Sequence, residues 1–482
     1  MGKIPGPVLV KGRSRIVRHN LAVPVRELFK RVLDFTPDTN FGPPIMQPQG
    51  SGDKYISPYN IALTAMSQQR ACLDPSVLAK VIDVLVDRIF TSLEGKIPDL
   101  QPLTVDSAVN GASEDPFIKR MNVRTSAGFG WNCSKEDILP VRSDGDLLFR
   151  EPVDDLKERL LSVLDQYSNG ESANFLYMAK LKDEPRSVEK VLSGKTRVFY
   201  AANVESVVIS RMLLAPFYSL MVEYGDVFCS SVGINMHTGA DKLVKSLLGF
   251  SDLLMEGDYK SFDQVMPYEI GRAVNTVVYR CLEKFGYNDT ALDMVRAILA
   301  DNLFPLVNMN SDVFSVPALQ PSGKYATAED NSLRGVVMLM YAWYVHPELQ
   351  KLPFFAHVLP RTYGDDMLAA VKSSVSGRYN NIYFQGVCKE HFNMKFTSAD
   401  KSDMMEPFLT IHEASFLKRK FVYSVEYEMW LAPLDLNSLV RSLEWGAPSP
   451  CVNAEDQFTD TAVSVLWELF FHVSRKDYGV MR

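Results

Sequence analysis

Two acidic clusters in this chain could do chemistry together. Asp258 and Asp263 stand in Asp258-Tyr259-Lys260-Ser261-Phe262-Asp263, and about a hundred residues later comes Tyr363-Gly364-Asp365-Asp366. Carboxylates so far apart act jointly only if folding brings them together. Together, Asp258 and Asp365 would offer hard oxygen ligands to two Mg²⁺ ions, with Asp366 as an auxiliary ligand. That is the arrangement two-metal nucleotidyl transfer requires. Taken singly, either cluster is also an ordinary solvated turn.

The elements that must position these acids are legible nearby. Leu253-Leu254-Met255 reads as a short strand delivering Asp258 at its C-terminal end. Residues 354–359 and 367–371 are apolar and β-compatible, which predicts a hairpin with the acids at its tip. A helix is predicted after Asp74 as N-cap and Pro75 at the first helical position, with apolar Leu78, Val81, Ile82, Leu85, Ile89 and Leu93 and a stop at Gly95. Further helices are predicted over 153–167, 267–285 and 327–345, the last entered from the Pro321-Ser322-Gly323 turn. Two amphipathic helices are expected at 435–443 and 454–474, and residues 42–52 read as a Pro/Gly loop.

Composition sets bounds on this picture. The chain has 482 residues, 46% of them hydrophobic, enough for two or three domains around large cores. No run of eighteen apolar residues and no signal-peptide pattern is present, so no membrane span is expected. Six scattered cysteines without a C-x-x-C unit read as reduced thiols rather than a zinc site. The net charge of −7 argues mildly against nucleic acid. Its distribution matters more: Lys3, Lys11, Arg13, Arg15, Arg18, Arg26, Lys30 and Arg31 make the start basic. Lys180, Lys182, Arg186, Lys190, Lys195 and Arg197 form a second basic stretch. Opposite a metal pair, such a stretch becomes a funnel for a nucleoside triphosphate.

Several further segments carry a resemblance. Thr125-Ser126-Ala127-Gly128, Lys182-Asp183-Glu184-Pro185-Arg186, Gly194-Lys195-Thr196-Arg197, residues 258–263, Pro321-Ser322-Gly323 with Thr327 and Asn331, Tyr363-Gly364-Asp365-Asp366, Ala399-Asp400-Lys401-Ser402 and Phe416-Leu417-Lys418-Arg419 follow one another along the chain. In kind and order they resemble the motifs of the RNA-dependent RNA polymerases of picornavirus-like (Picornavirales) positive-strand RNA viruses.

The resemblance implies an α+β fold, a closed right hand whose palm is an antiparallel sheet of RRM-like type. On that plan fingers occupy 1–215, palm 216–296, a fingers insertion 297–320, palm again 321–424 and thumb 425–482. It assigns catalysis to Asp258, Asp365 and Asp366, with Lys401 as the acid that protonates pyrophosphate. It assigns the incoming ribonucleotide to Lys182, Arg186, Arg197, Asp263, Ser322, Gly323, Thr327 and Asn331. Of these, Asp263, Ser322 and Asn331 would sense the ribose 2′-hydroxyl, and Gly323 would let its loop flex. Thr125, Ser126 and Gly128 would meet template RNA, and Lys418 and Arg419 the primer strand.

The implied cofactor is a pair of Mg²⁺ ions, for which Mn²⁺ can stand in. The implied partners are template and product RNA, rNTPs, a genome-linked protein primer and other viral replication proteins. The implied location is the host cytoplasm, at membrane-associated replication complexes. Relatives are released from polyproteins, and Gly2 would match an N-terminal glycine that supports the active site, with Met1 an addition. A reverse transcriptase and an inactive RNA-binding protein are the alternatives. Asp263 with Asn331 favours a ribose over the first, and retention of both acids and Lys401 disfavours the second. Three departures stand out. Lys324 and Tyr325 are bulky where relatives carry small residues, Tyr200 stands where some have an acid supporting Arg197, and the segment after Trp445 is short for a thumb.

Overall fold

The computed structural model describes residues 2–3, 12–67, 73–145, 147–398, 404–449, 451–472 and 475–481. The acids lie on a four-stranded antiparallel sheet in the spatial order Val358–Tyr363, Asp366–Val371, Leu254–Tyr259, Phe396–Thr397. The first strand in sequence is thus central, flanked by the third and fourth, the split pattern of ferredoxin-like sheets.

Strand periodicity divides these residues between two cores. Met255, Met367 and Ala369 enter the main core, while Leu254, Leu368 and Ala370 enter a second one with Leu243, Val244 and Leu247 of the Met236–Phe250 helix. With both faces covered, the strands read as continuous apolar runs. Gly257 is fixed by this packing: a Cβ there would lie 2.2 Å from the Phe396 ring.

Beneath the sheet runs the Thr327–Val345 helix, with the bounds the sequence predicts and almost every residue from Asp330 to Tyr344 buried. The Pro75–Leu93 helix packs against it. Its N-cap Asp74 accepts from the Ser76 and Val77 N–H groups, and Leu78, Val81, Leu85, Ile89 and Leu93 are buried. The predicted helices over 153–167 and 267–285 appear as Asp154–Ser168 and Tyr268–Lys284.

Two local expectations are corrected. The first hairpin flank begins as a helical turn, Phe354–His357, and the strand starts only at Val358. Pro353 caps that turn, and Phe354 is drawn into an aromatic cluster 5.6 Å from Trp343. The Val204–Glu223 helix has no counterpart among the predicted elements because it is buried on nearly every side, polar Glu205, Ser206, Ser210 and Arg211 included, so its apolar residues show no helical period. It is long and apolar enough to cross a membrane by composition, and its apolar stretch is buried inside the protein.

A second, five-stranded sheet runs Gly2–Lys3, Asp312–Ser315, Leu306–Met309, Leu176–Leu181, Val198–Ala201. Near the chain start, Val17–Arg18 pairs with Trp445–Gly446, and Phe41–Gly42 pairs with Arg186–Ser187. Between them the Ala22–Leu33 helix buries Phe29 against Leu439, Val440 and Leu443 of the Leu436–Glu444 helix and Val465 and Leu469 of the Ala454–Leu469 helix. The early segment therefore straps the C-terminal helices to the basic segment around Arg186.

Candidate active site

Strand register brings the two acidic clusters together. Met367 pairs with Gly257 and Leu368 with Glu256, so one step further along the same ladder Asp366 reaches the level of Asp258. Tyr363 pairs with Asp366, leaving Gly364-Asp365 as a two-residue loop. Gly364 takes φ 62°, which a tight hairpin loop needs at its first position. The loop is pinned from below: the Gly364 N–H donates to Ser332 Oγ at 2.8 Å, and Thr362 Oγ1 donates to Ser332 O at 3.2 Å. Ser332, wholly buried on the Thr327–Val345 helix, is a positioning residue that sequence reasoning missed, since a serine inside a helix carries no such signal.

The field at this corner is dominated by carboxylates. Burial, followed by the charges of Asp365 and Asp258, pushes the Asp366 carboxyl up to about 6. Burial also raises Asp263, and the Asp365 charge adds to it, while Asn331, Arg334 and Arg197 pull it down. Asp258, Asp263, Asp365, Asp366 and Arg197 thus share one electrostatic neighbourhood. Crowded oxygens with no imidazole or thiolate suit a hard divalent cation. Among the described residues no three acidic, histidine or cysteine groups enclose a cation by themselves. Water and phosphate oxygens must then complete the shell, as Mg²⁺ usually requires. The donor set fits such an ion on those terms.

The basic segment converges on one acid. Glu184 lies 3.1 Å from Lys182 Nζ, 3.4 Å from an Arg197 guanidinium nitrogen and 3.6 Å from one of Arg186. Glu184, not position 200, therefore supplies the carboxylate that holds Arg197. Tyr200 is buried, and its N–H donates to Ser322 Oγ at 3.2 Å. Asp183 fastens the same segment to the strap, accepting from Ser14 Oγ at 2.6 Å and the Arg15 N–H at 2.7 Å.

Asn331 Nδ2 donates to Asp263 Oδ1 at 2.7 Å, joining the two residues expected to read a ribose. Ser322 is exposed at the mouth of the same loop. Gly323 is held rather than free: a Cβ there would meet Tyr200 O at 2.2 Å. Gly128, at φ 96°, presses on the same stretch, where a Cβ would lie 2.5 Å from Ala202 O. Thr125 and Ser126 beside it are exposed.

Two expectations change here. Thr327 Oγ1 donates to Lys324 O at 2.9 Å and Pro321 O at 3.2 Å, so this hydroxyl closes its own loop instead of facing a nucleotide. Arg419 is engaged by Glu468 through two contacts of 2.6 and 2.8 Å and donates to Ala432 O, so its fork is not open to RNA phosphate. Its neighbour Lys418 is exposed and lowers the Asp366 carboxyl by its charge. Lys401, with Ala399, Asp400 and Ser402, lies outside the described residues.

Comparison with known proteins decides the family. A family model described as viral RNA-dependent RNA polymerase matches residues 57–476. The chain belongs to that family. Its polymerase fold is also seen in a solved structure, the Sicinivirus 3Dpol RNA dependent RNA polymerase, with a TM-score of 0.81 at 21% identity over 99% of this chain and 92% of that one. That likeness gives this chain the right-hand polymerase fold. Among curated relatives, the Nora virus replication polyprotein is 26% identical over 77% of this chain. The Cricket paralysis virus replicase polyprotein is 25% identical over 71%. The polymerase chain spans only 18% and 20% of those two polyproteins.

Proposed function

We propose that this chain performs template-directed RNA synthesis, transferring ribonucleotides from rNTPs to an RNA 3′-hydroxyl during replication of a viral genome. The observation that carries the reading is the palm register, which sets Asp366 at the level of Asp258 beside the Gly364-Asp365 loop. Asp258 and Asp365, with Asp366 in support, would hold two Mg²⁺ ions. Bound there, Mg²⁺ would supply the charge that lowers a hydroxyl's pKa and offsets the negative charge of a leaving pyrophosphate. Lys182, Arg186 and Arg197, gathered around the Glu184 carboxylate, bind the triphosphate, and Arg197, a planar guanidinium, also stacks on the base. Asp263 and Asn331 bond the 2′-hydroxyl, which is both donor and acceptor. Lys401 protonates pyrophosphate.

Thr125, Ser126 and Gly128 border the template, and Lys418 grips primer phosphate, a contact blind to sequence. Fingers, palm and thumb follow the boundaries given above. A genome-linked protein primer, other replication proteins and membrane-associated sites in the host cytoplasm complete the proposal, on resemblance alone. The test is primer extension in Mg²⁺ by purified variants. Asp258→Asn and Asp365→Asn are each expected to abolish incorporation while RNA affinity stays within a few-fold, since the field they remove acts at the reacting phosphate. Wild-type-like extension by either variant rejects the assignment.

A further inference from the structure

Lys324, the bulky departure in the loop before the Thr327–Val345 helix, is buried, with Nζ 2.8 Å from Asp330 Oδ2. Asp330 is 1% exposed and takes Arg334 at 3.1 Å on the same oxygen, together with Gln320 Nε2. We infer that this buried Lys324–Asp330–Arg334 cluster sets the ribose selectivity of the polymerase, by dictating which way the amides of Gln320 and Asn331 point. The inference rests on the polymerase reading and names the residues that tune its selectivity.

The argument follows the donors. An ionised carboxylate only accepts hydrogen bonds, so Gln320 must turn its NH₂ group toward Asp330. That same NH₂ donates to Asn331 Oδ1 at 3.2 Å. Asn331 then has only its own NH₂ left for Asp263, the contact observed at 2.7 Å. Gln320 is 0% exposed, so no solvent is at hand to reward the opposite orientation. Its Oε1 is buried with no hydrogen-bond partner among the described residues, so the amide is held against the preference of its own carbonyl. The Gln320 N–H also donates to Asp263 O at 2.9 Å, tying the relay to the ribose-reading segment at a second point.

Lys324 has two roles in this relay. It keeps Asp330 anionic, sharing with Arg334 the compensation of Asp330 and the nearby Asp263. It also ties the 321–326 loop, which carries Ser322, to the helix that carries Asn331. A site whose buried donors and acceptors are committed to a hydroxyl rejects the analogue that lacks it. An Asn331 amide free to turn would lose that commitment. Lys324, Asp330 and Gln320 are positioning residues here, acting through Asn331 and Asp263.

The experiment compares kcat/KM for an rNTP and the matching dNTP on one primer–template. Asp330→Asn, whose amide can present either polarity, and Gln320→Met, which breaks the relay at similar volume, should each lower the rNTP-over-dNTP ratio by about tenfold. Lys324→Met should lower it in the same direction, and Lys324→Arg should restore it. A ratio unchanged in both Asp330→Asn and Gln320→Met, with both substrates slowed equally, overturns the inference and leaves the cluster a purely structural one. Thermal melts accompany the assay, and if Asp330→Asn does not fold, Gln320→Met decides alone. If the unaltered chain incorporates neither nucleotide, the polymerase reading itself falls, and this inference with it.

Discussion

Leu417 and Lys418 both take positive φ, 56° and 60°, in the two-residue loop between the Ser415–Phe416 and Arg419–Lys420 strands. Such loops usually carry Asn-Gly, and each residue with a Cβ in this region costs about 1–2 kcal/mol. Flanking contacts hold the loop in place. Glu256, two residues before Asp258 on the central strand, accepts from the Ser415 N–H at 2.5 Å and Ser415 Oγ at 2.8 Å. On the other side Glu468 clamps Arg419. Lys418 is thereby presented near Asp366, and the two neighbouring cations part in role. Lys418→Ala is expected to weaken RNA binding without sequence preference and to reduce the salt slope by about 1. Arg419→Ala is expected to lower stability by about 2 kcal/mol, because it leaves the Glu468 carboxylate with only His237 Nε2, at 2.8 Å, as its ion-pair partner. Binding titrations across salt and denaturant melts separate the two. An Arg419→Ala protein of normal stability with weakened RNA binding would return Arg419 to the primer.

At the scale of elements, the C-terminal helices rest on a few polar ties as well as on their apolar stripe. His472, just beyond the Ala454–Leu469 helix, lies 2.8 Å through Nε2 from Leu434 O. Burial holds its ring below the ordinary histidine value. A neutral ring can donate to that carbonyl, and protonation favours the unfolded chain. This contribution to stability is therefore present above the unfolded value of about 6.5 and is lost as pH falls through the lower folded value. The melting temperature should drop from pH 7 to pH 5, and His472→Gln should flatten that drop. An identical pH profile in the variant would show that other groups govern the drop.

For the whole molecule, closure depends on the strap. Glu444, 2% exposed on the last turn of its helix, takes Arg26 Nε and, at 2.9 Å, Arg26 Nη2, while its backbone oxygen accepts the His19 N–H at 2.7 Å. Farther along, Arg441 stacks on Phe41 at 4.0 Å, and the next strand pair reaches Arg186. One segment thus joins the C-terminal helices to the basic segment around Arg186. Glu444→Ala is expected to cost about 3 kcal/mol by leaving Arg26 unpaired and to shorten products in a single-binding extension assay. Products of unchanged length would mean that RNA is retained without this closure.

The sequence by itself determined the chemistry and the local frame around it. Acids at two sites, a strand before Asp258, a tight glycine turn before Asp365 and the helix from Thr327 all follow from residue type and spacing, because turns, caps and periodicity are short-range. It could not show that Glu184 gathers the cations, that Ser332 pins the Gly364-Asp365 loop, or that Arg419 and Thr327 turn inward. Nor could it show the Val204–Glu223 helix, whose burial on nearly every side leaves no period to read. Those features depend on which distant side chain fills the next position in space. Only the tertiary fold decides that, since strand register and helix packing set which distant side chains meet.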